Sequence, residues 1–208
     1  MQQIKILLKA TKFFQKNLKI MSKKYSKINE LLLTFFYCGK SKKAPGTVGT
    51  IGALIFWLFT NDYFVNNNYS AIFQYSFWFI LTLALCIYAF YEIPNYHLVT
   101  NSKDIDQKSI VIDEAVGIFI ALEIFNFLAQ EIYILSQAKF MIYTFLCFLL
   151  FRFFDIKKPS IIGVCDRKMK NSFGVMFDDI ICGILAGVIT LIIYKLTVNS
   201  QFFELINC

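Results

Sequence analysis

AIFQYSFWFILTLALCIYAFY, residues 71–91, is 21 residues long and carries no charge. A helix crossing the hydrocarbon of a bilayer needs about 20 predominantly apolar residues, so this stretch reads as a membrane span. IICGILAGVITLIIYKLTV, residues 180–198, reads the same way, broken only by Lys195. Three weaker stretches lie around these two. Thr47 to Phe59 is short, Ala115 to Leu128 is apolar except for Glu123, and Ile132 to Phe154 is interrupted by Lys139 and Arg152. The first and third of the five can be re-entrant or tilted rather than full spans. The pattern predicts an all-α, polytopic helical membrane protein with three to five membrane-embedded helices. Its single membrane-embedded domain is expected over residues 39–198, after a basic arm (1–38) and before a short tail (199–208).

Composition agrees. Of the 208 residues 57% are hydrophobic and 17% charged, against about 45–50% and about 25% in an ordinary soluble domain. A soluble globule of this size would expose large apolar patches. The six cysteines are scattered without a CxxC pair, so neither a zinc site nor a disulfide framework is expected, and free Cys packs as a small hydrophobe.

The net charge of +7 would point to nucleic acid in a soluble chain; in a membrane protein it reflects basic residues held on the cytoplasmic side, and no nucleic-acid partner is expected. With all five stretches crossing and the N-terminus inside, segments 1–46, 92–114 and 152–172 hold 19 of the 21 basic residues. A three-span arrangement keeps the same orientation. Lys5, Lys9, Lys12, Lys16 and Lys19 recur at helical spacing among Ile6, Leu7, Phe13, Phe14 and Leu18. That is a basic amphipathic arm suited to anionic lipid headgroups, with a solvated tail as the alternative.

Ten of the 14 carboxylates fall on the same inner side. Asp113-Glu114 opens the third apolar stretch, Asp178-Asp179 opens the last, and Asp155 ends the fourth. Acids at helix N-termini can simply cap the helix and meet its dipole. Five of them around one interfacial pocket, however, stay ionised together only if cations neutralise them. Hard oxygen donors without His or Cys select Mg²⁺, Ca²⁺ or Mn²⁺. Arg152, Lys157, Lys158, Arg167 and Lys168 are interleaved with these acids, which is equipment for holding a phosphate. Ahead of the first apolar stretch, KKAPGTVGT (42–50) makes a turn in which Thr47 or Thr50 can cap a helix whose free N–H groups suit a phosphate. His97 is the only histidine, which excludes a mechanism needing two, and it is expected at the interface without a chemical role.

APGTVGT (44–50), DQKSIVIDEAVG (106–117), RFFDIKKPS (152–160), DRK (166–168) and GVMFDDIICG (174–183), in this order and spacing, resemble the bacterial phosphatidylglycerophosphatase A family. The resemblance covers residues from about Gly39 to Gly187. It implies a Mg²⁺-dependent phosphomonoesterase that turns phosphatidylglycerophosphate into phosphatidylglycerol, seated in the bacterial inner membrane with its site facing the cytoplasm. Its acidic positions fall on Asp106, Asp113, Glu114, Asp155, Asp166, Asp178 and Asp179. Its basic positions fall on Arg152, Lys158 and Arg167, and its turn on Pro45, Gly46 and Thr47. Gln107 stands where a Pro is expected and Thr50 where Ser is common; Glu123 matches no motif position.

These residues divide into expected roles. Asp113, Glu114, Asp178 and Asp179 would hold Mg²⁺, with Asp155 as ligand or support. Arg152, Lys158, Arg167 and Thr47 would clamp the phosphate. Asp106 or Asp166 would orient water or protonate the leaving oxygen. No DxDx[TV]-like signature announces an aspartyl-phosphate, so water is the expected nucleophile. The alternatives are another lipid-phosphate phosphatase or phosphotransferase, and a non-enzymatic cation-binding membrane protein. The phosphotransferase would need a DGxxAR…GxxxDxxxD spacing that is absent, and the cation-binding protein would place acids at mid-membrane. Headgroup and acyl selectivity and oligomeric state are not written in the residues.

Overall fold

The structure, a computed structural model, describes residues 27–100, 107–129, 137–158 and 172–206. It is helical throughout, with no strand among the described residues. A short α1 (Lys27–Leu33) and a 3₁₀ turn (Cys38–Lys40) precede five longer helices: α2 (Pro45–Asn66), α3 (Ala71–Thr100), α4 (Ile112–Leu128), α5 (Gln137–Lys157) and α6 (Ser172–Ile206).

Three segments are long and apolar enough to cross a membrane: Pro45–Asn66, Ala71–Leu98 and Gly174–Thr197, with mean hydropathies of 1.3, 1.7 and 2.2. The first differs from its sequence reading. The apolar run ends at Phe59, yet α2 continues to Asn66 because its polar residues are paired locally: Thr60 Oγ1 donates to Phe56 O at 2.8 Å and Asn66 Nδ2 to Asp62 Oδ2 at 3.0 Å. At 22 residues and 1.5 Å per residue it is about 33 Å long, enough to cross.

α4 is the hub. It is apolar on every side, and most of its length, including Ile112, Val116, Ile118, Phe119, Leu122 and Phe125, is sealed from the surroundings. Helices in lipid associate through close packing of small residues, because lipid tails supply no hydrophobic drive between them. Here Gly117 and Ala121 of α4 face Gly183 and Gly187 of α6. A Cβ on Gly183 would lie 2.3 Å from Gly117 O, and one on Gly187 2.7 Å from Ala121 O. That contact fixes the rotation of α6 and thereby the direction of its acids. Around it, Trp57, Trp78, Phe119, Phe125, Phe140 and Phe151 form the aromatic core that binds α2, α3, α5 and α6 to α4.

Glu123 finds its reason here. Trp57 Nε1 donates to Glu123 Oε1 at 2.8 Å, so the one acid deep in α4 ties it to α2 and satisfies a buried indole. At the other end, α1 and the 3₁₀ turn close over the loop before α4. Val111 N donates to Leu33 O at 3.0 Å, and Asn29 Nδ2 to Glu92 Oε2 at 3.0 Å. Residues 27–38 thus pack on the bundle, while the basic run 1–26 lies outside the described residues. The four described cysteines outside the tail (Cys38, Cys86, Cys147, Cys182) are free thiols. His97 sits, half-buried, in the last turn of α3.

Candidate active site

The starts of α2, α4 and α6 and the end of α5 meet at one end of the bundle. Asp113 and Glu114 are the second and third residues of α4, and Glu114 N donates to Asp113 Oδ1 at 3.1 Å. Asp179 comes from α6. One carboxylate oxygen from each of Asp113, Glu114 and Asp179 lies within 4.8 Å of the others.

Helix capping does not explain α6's acids. The helix begins at Ser172, so Asp178 and Asp179 stand beyond its first turn, where no backbone N–H is left without a helical acceptor. Both are nonetheless buried, at 3% and 5% exposure. Glu114 Oε2 and Asp179 Oδ1 are sealed and have no hydrogen-bond partner. Burial pushes the Glu114 carboxyl up to about 8, and the charges of Asp179 and Asp155 add to that push against Asp113 and Arg152. Carboxylates so placed are stabilised in ionised form by a cation between them. The donor set is all oxygen, and its orphaned oxygens point to a hard divalent ion as the group that fits.

Asp178 behaves differently from its neighbour. Successive helical residues point about 100° apart, and Asp178 turns away from the other three to accept from Lys158 Nζ at 2.5 Å. Lys158 follows α5 immediately. Its φ of 41° is left-handed, and its N–H donates to Phe154 O at 2.8 Å. The chain therefore ends α5 in an αL cap that swings the lysine toward α6.

Arg152, near the end of α5, is held from three sides. Its NH2 donates to Thr47 Oγ1 at 3.1 Å, its NH1 to Thr50 Oγ1 at 3.2 Å, and it forms an ion pair with Asp155. The threonines therefore do not cap α2 as expected. The capping position is Ala44, with φ 47° and no side-chain cap, and Pro45 follows at the first helical position. Thr47 and Thr50, three apart, share the face that meets α5. Thr50 also donates to Gly46 O at 2.8 Å and is fully buried. Gly46 leaves room for the site: a Cβ there would stand 2.3 Å from Glu114 Oε1, displacing that carboxylate, and 3.4 Å from Arg152 NH2.

The structure thus brings together Asp113, Glu114, Asp179, Arg152, Asp155 and Thr47, with the Lys158–Asp178 pair alongside. Asp106, Asp166 and Arg167 lie outside the described residues. Sequence reasoning missed Thr50 as a partner of Arg152 and Gly46 as the residue that admits Glu114. The i, i+3 spacing of Thr47 and Thr50 was the available signal for the first.

Carboxylates from two helices, beside a guanidinium and an ammonium, at one end of an apolar bundle define a membrane-embedded enzyme that handles phosphate. Residues 31–194 match the family profile described as Phosphatidylglycerophosphatase A. The chain belongs to that family and is a phosphatase. A Haemophilus influenzae protein named Phosphatidylglycerophosphatase A is 33% identical over 172 residues, 80% of this chain and 90% of the relative. An Escherichia coli protein of the same name is 29% identical over 160 residues, 76% of this chain and 78% of the relative. A Bacteroides thetaiotaomicron relative, provisionally named a phosphatidylinositol-3-phosphatase, is 31% identical over 162 residues, 76% of this chain and 89% of the relative. No solved structure matches the chain.

Proposed function

We propose that this phosphatase hydrolyses phosphatidylglycerophosphate to phosphatidylglycerol and inorganic phosphate, with Mg²⁺ held by Asp113, Glu114 and Asp179. The observation that carries the reading is the convergence of these three carboxylates, two with orphaned oxygens, beside a fixed Arg152. The bound cation supplies charge that polarises the phosphoryl oxygens. Arg152, pre-oriented by Thr47, Thr50 and Asp155, binds the phosphate as negative charge develops on its oxygens. Because its geometry is fixed before the substrate arrives, little reorganisation is needed. Lys158, steered by Asp178, adds a second positive charge, and Arg167 a third.

Asp106 or Asp166 removes a proton from the attacking water or returns one to the leaving glycerol oxygen. The water oxygen bonds to phosphorus, the phosphorus–oxygen bond to glycerol breaks, and the departing oxygen takes up the proton. The acyl chains stay in the bilayer while the phosphate stays at headgroup depth. A bacterial inner membrane, with the N-terminus and site facing the cytoplasm, is the setting that the charge asymmetry supports. The lysines of the arm that precede residue 27 meet anionic lipid headgroups there.

The test is phosphate release from phosphatidylglycerophosphate in detergent micelles, with Mg²⁺ and then with excess chelator. Release that stops on chelation and returns with Mg²⁺ is expected. Folded protein that releases phosphate equally with chelator would overturn the metal assignment. Release only from phosphatidylinositol phosphates would overturn the substrate.

A further inference from the structure

A cleft of about 410 Å³ runs between α3 and α6, walled by Ile87, Phe90 and Tyr91 on one side and Met176, Phe177 and Ile180 on the other. Every one of these walls is apolar or aromatic. Ile87, Phe90 and Tyr91 are exposed at 51%, 43% and 67%, so the cleft opens sideways to whatever surrounds the bundle, which along α3 is lipid.

Its position relative to the carboxylates matters most. Phe177 and Ile180 bracket Asp178 and Asp179 in sequence, and Met176 precedes Asp179 by about one helical turn. Met176 also packs in the cluster that contains Ile112, which precedes Asp113, and Val116, two residues after Glu114. One wall of the cleft is therefore the back of the acidic centre. A second cleft is lined by Phe59, Asp62 and Gln137, and a third by Tyr75, Phe127 and Leu128; both lie at the opposite end of the bundle.

A lipid phosphomonoester held by Arg152 and the triad must lead its hydrocarbon away from the site. Apolar carbon leaves water or headgroup depth most favourably along an apolar wall. We propose that the α3–α6 cleft seats an acyl chain of the phospholipid substrate and so determines chain preference, an assignment that rests on the phosphatidylglycerophosphatase reading above. The chain lies against Phe90 and Met176, with its ester end at the level of Asp179, and enters from the bilayer without leaving it.

The experiment uses the full-length protein in detergent micelles with two substrates, dioleoyl and water-soluble dihexanoyl phosphatidylglycerophosphate. Ile87→Trp fills the cleft from the α3 side without touching a carboxylate or a cation. Its expected effect is a KM raised about tenfold for the dioleoyl substrate, on the scale of a few lost methylene contacts. kcat/KM for the dihexanoyl substrate should remain within about twofold of wild type. In parallel, phosphatidic acid carrying a diazirine along one acyl chain is photolysed with the wild-type protein, and crosslinks are expected in peptides spanning 86–91 and 176–180. Equal effects on both substrates, no effect on either, or crosslinks confined to other helices would overturn the proposal while leaving the phosphatase reading intact. A wild-type protein that hydrolyses neither substrate would overturn that reading and this one with it.

Discussion

Replacing Thr50 by Val tests whether Arg152 works because it is held still. The two side chains have nearly the same shape, so the change removes a hydroxyl and leaves no large void. It deletes the acceptor for Arg152 NH1 at 3.2 Å and the donor to Gly46 O at 2.8 Å. A hydrogen bond to a charged group contributes about 1.5–3 kcal/mol. Arg152 keeps Thr47 and Asp155 as partners, which argues for the lower end. At 1.36 kcal/mol per factor of ten, about 1.5 kcal/mol is a loss of about tenfold in kcat/KM. The assay is steady-state phosphate release at saturating Mg²⁺, with a thermal melt in the same detergent to establish that the variant is folded. Thr50→Ser retains the hydroxyl and should recover most of the activity. Wild-type kinetics in Thr50→Val, or a Thr50→Ser variant as impaired as Thr50→Val, would refute the claim that this hydroxyl positions the guanidinium.

Asp113→Asn and Asp179→Asn should each reduce phosphate release by about a hundred- to a thousandfold, on the scale of removing a group that stabilises transition-state charge, while the protein still inserts and melts cooperatively. Direct Mg²⁺ titration should show weakened binding in both, and full turnover by either would remove it from the metal set. Gly46→Ala places a methyl 2.3 Å from Glu114 Oε1, so the carboxylate must swing aside and activity should fall sharply with little change in melting temperature. Glu123→Leu leaves the Trp57 indole N–H buried without its acceptor and should lower stability by about 1–3 kcal/mol. Glu123→Gln, which can still accept from Trp57, should not, and detergent melts of the two variants separate the outcomes.

The parts of the site that could be read in the chain are those where charge interrupts an apolar background. Asp113-Glu114, Asp178-Asp179 and Arg152 stand out because burying them without partners is so unfavourable. What could not be read is which of two adjacent acids faces inward. Asp178 and Asp179 differ by one step of helical rotation, and that rotation is set by the contact of Gly183 and Gly187 with Gly117 and Ala121. Composition offers no reading of such a contact. The role of α4 was hidden for a related reason: a helix with apolar residues on every side has no periodicity to say which face is inner, and here all but the edge of Ile120, Ile124 and Phe127 is buried. The partnership of Trp57 with Glu123 joins residues 66 positions apart, a pairing that only packing reveals. Conversely, the apolar run stops at Phe59 while α2 continues to Asn66, because local hydrogen bonds keep Thr60 to Asn66 helical where hydropathy alone falls away.

The near-complete enclosure of α4 has a mechanical consequence. Only 6% of the apolar window of α3 is buried, so α3 meets the lateral pressure of the bilayer first, while the helix that carries Asp113 and Glu114 hardly touches it. Thickening or stiffening the membrane would tilt α3 and α2 before it disturbed the distances among the carboxylates. The chemistry is cushioned from its solvent, and moving the enzyme between membranes of different thickness should change how the lipid is delivered more than how its phosphate is cleaved.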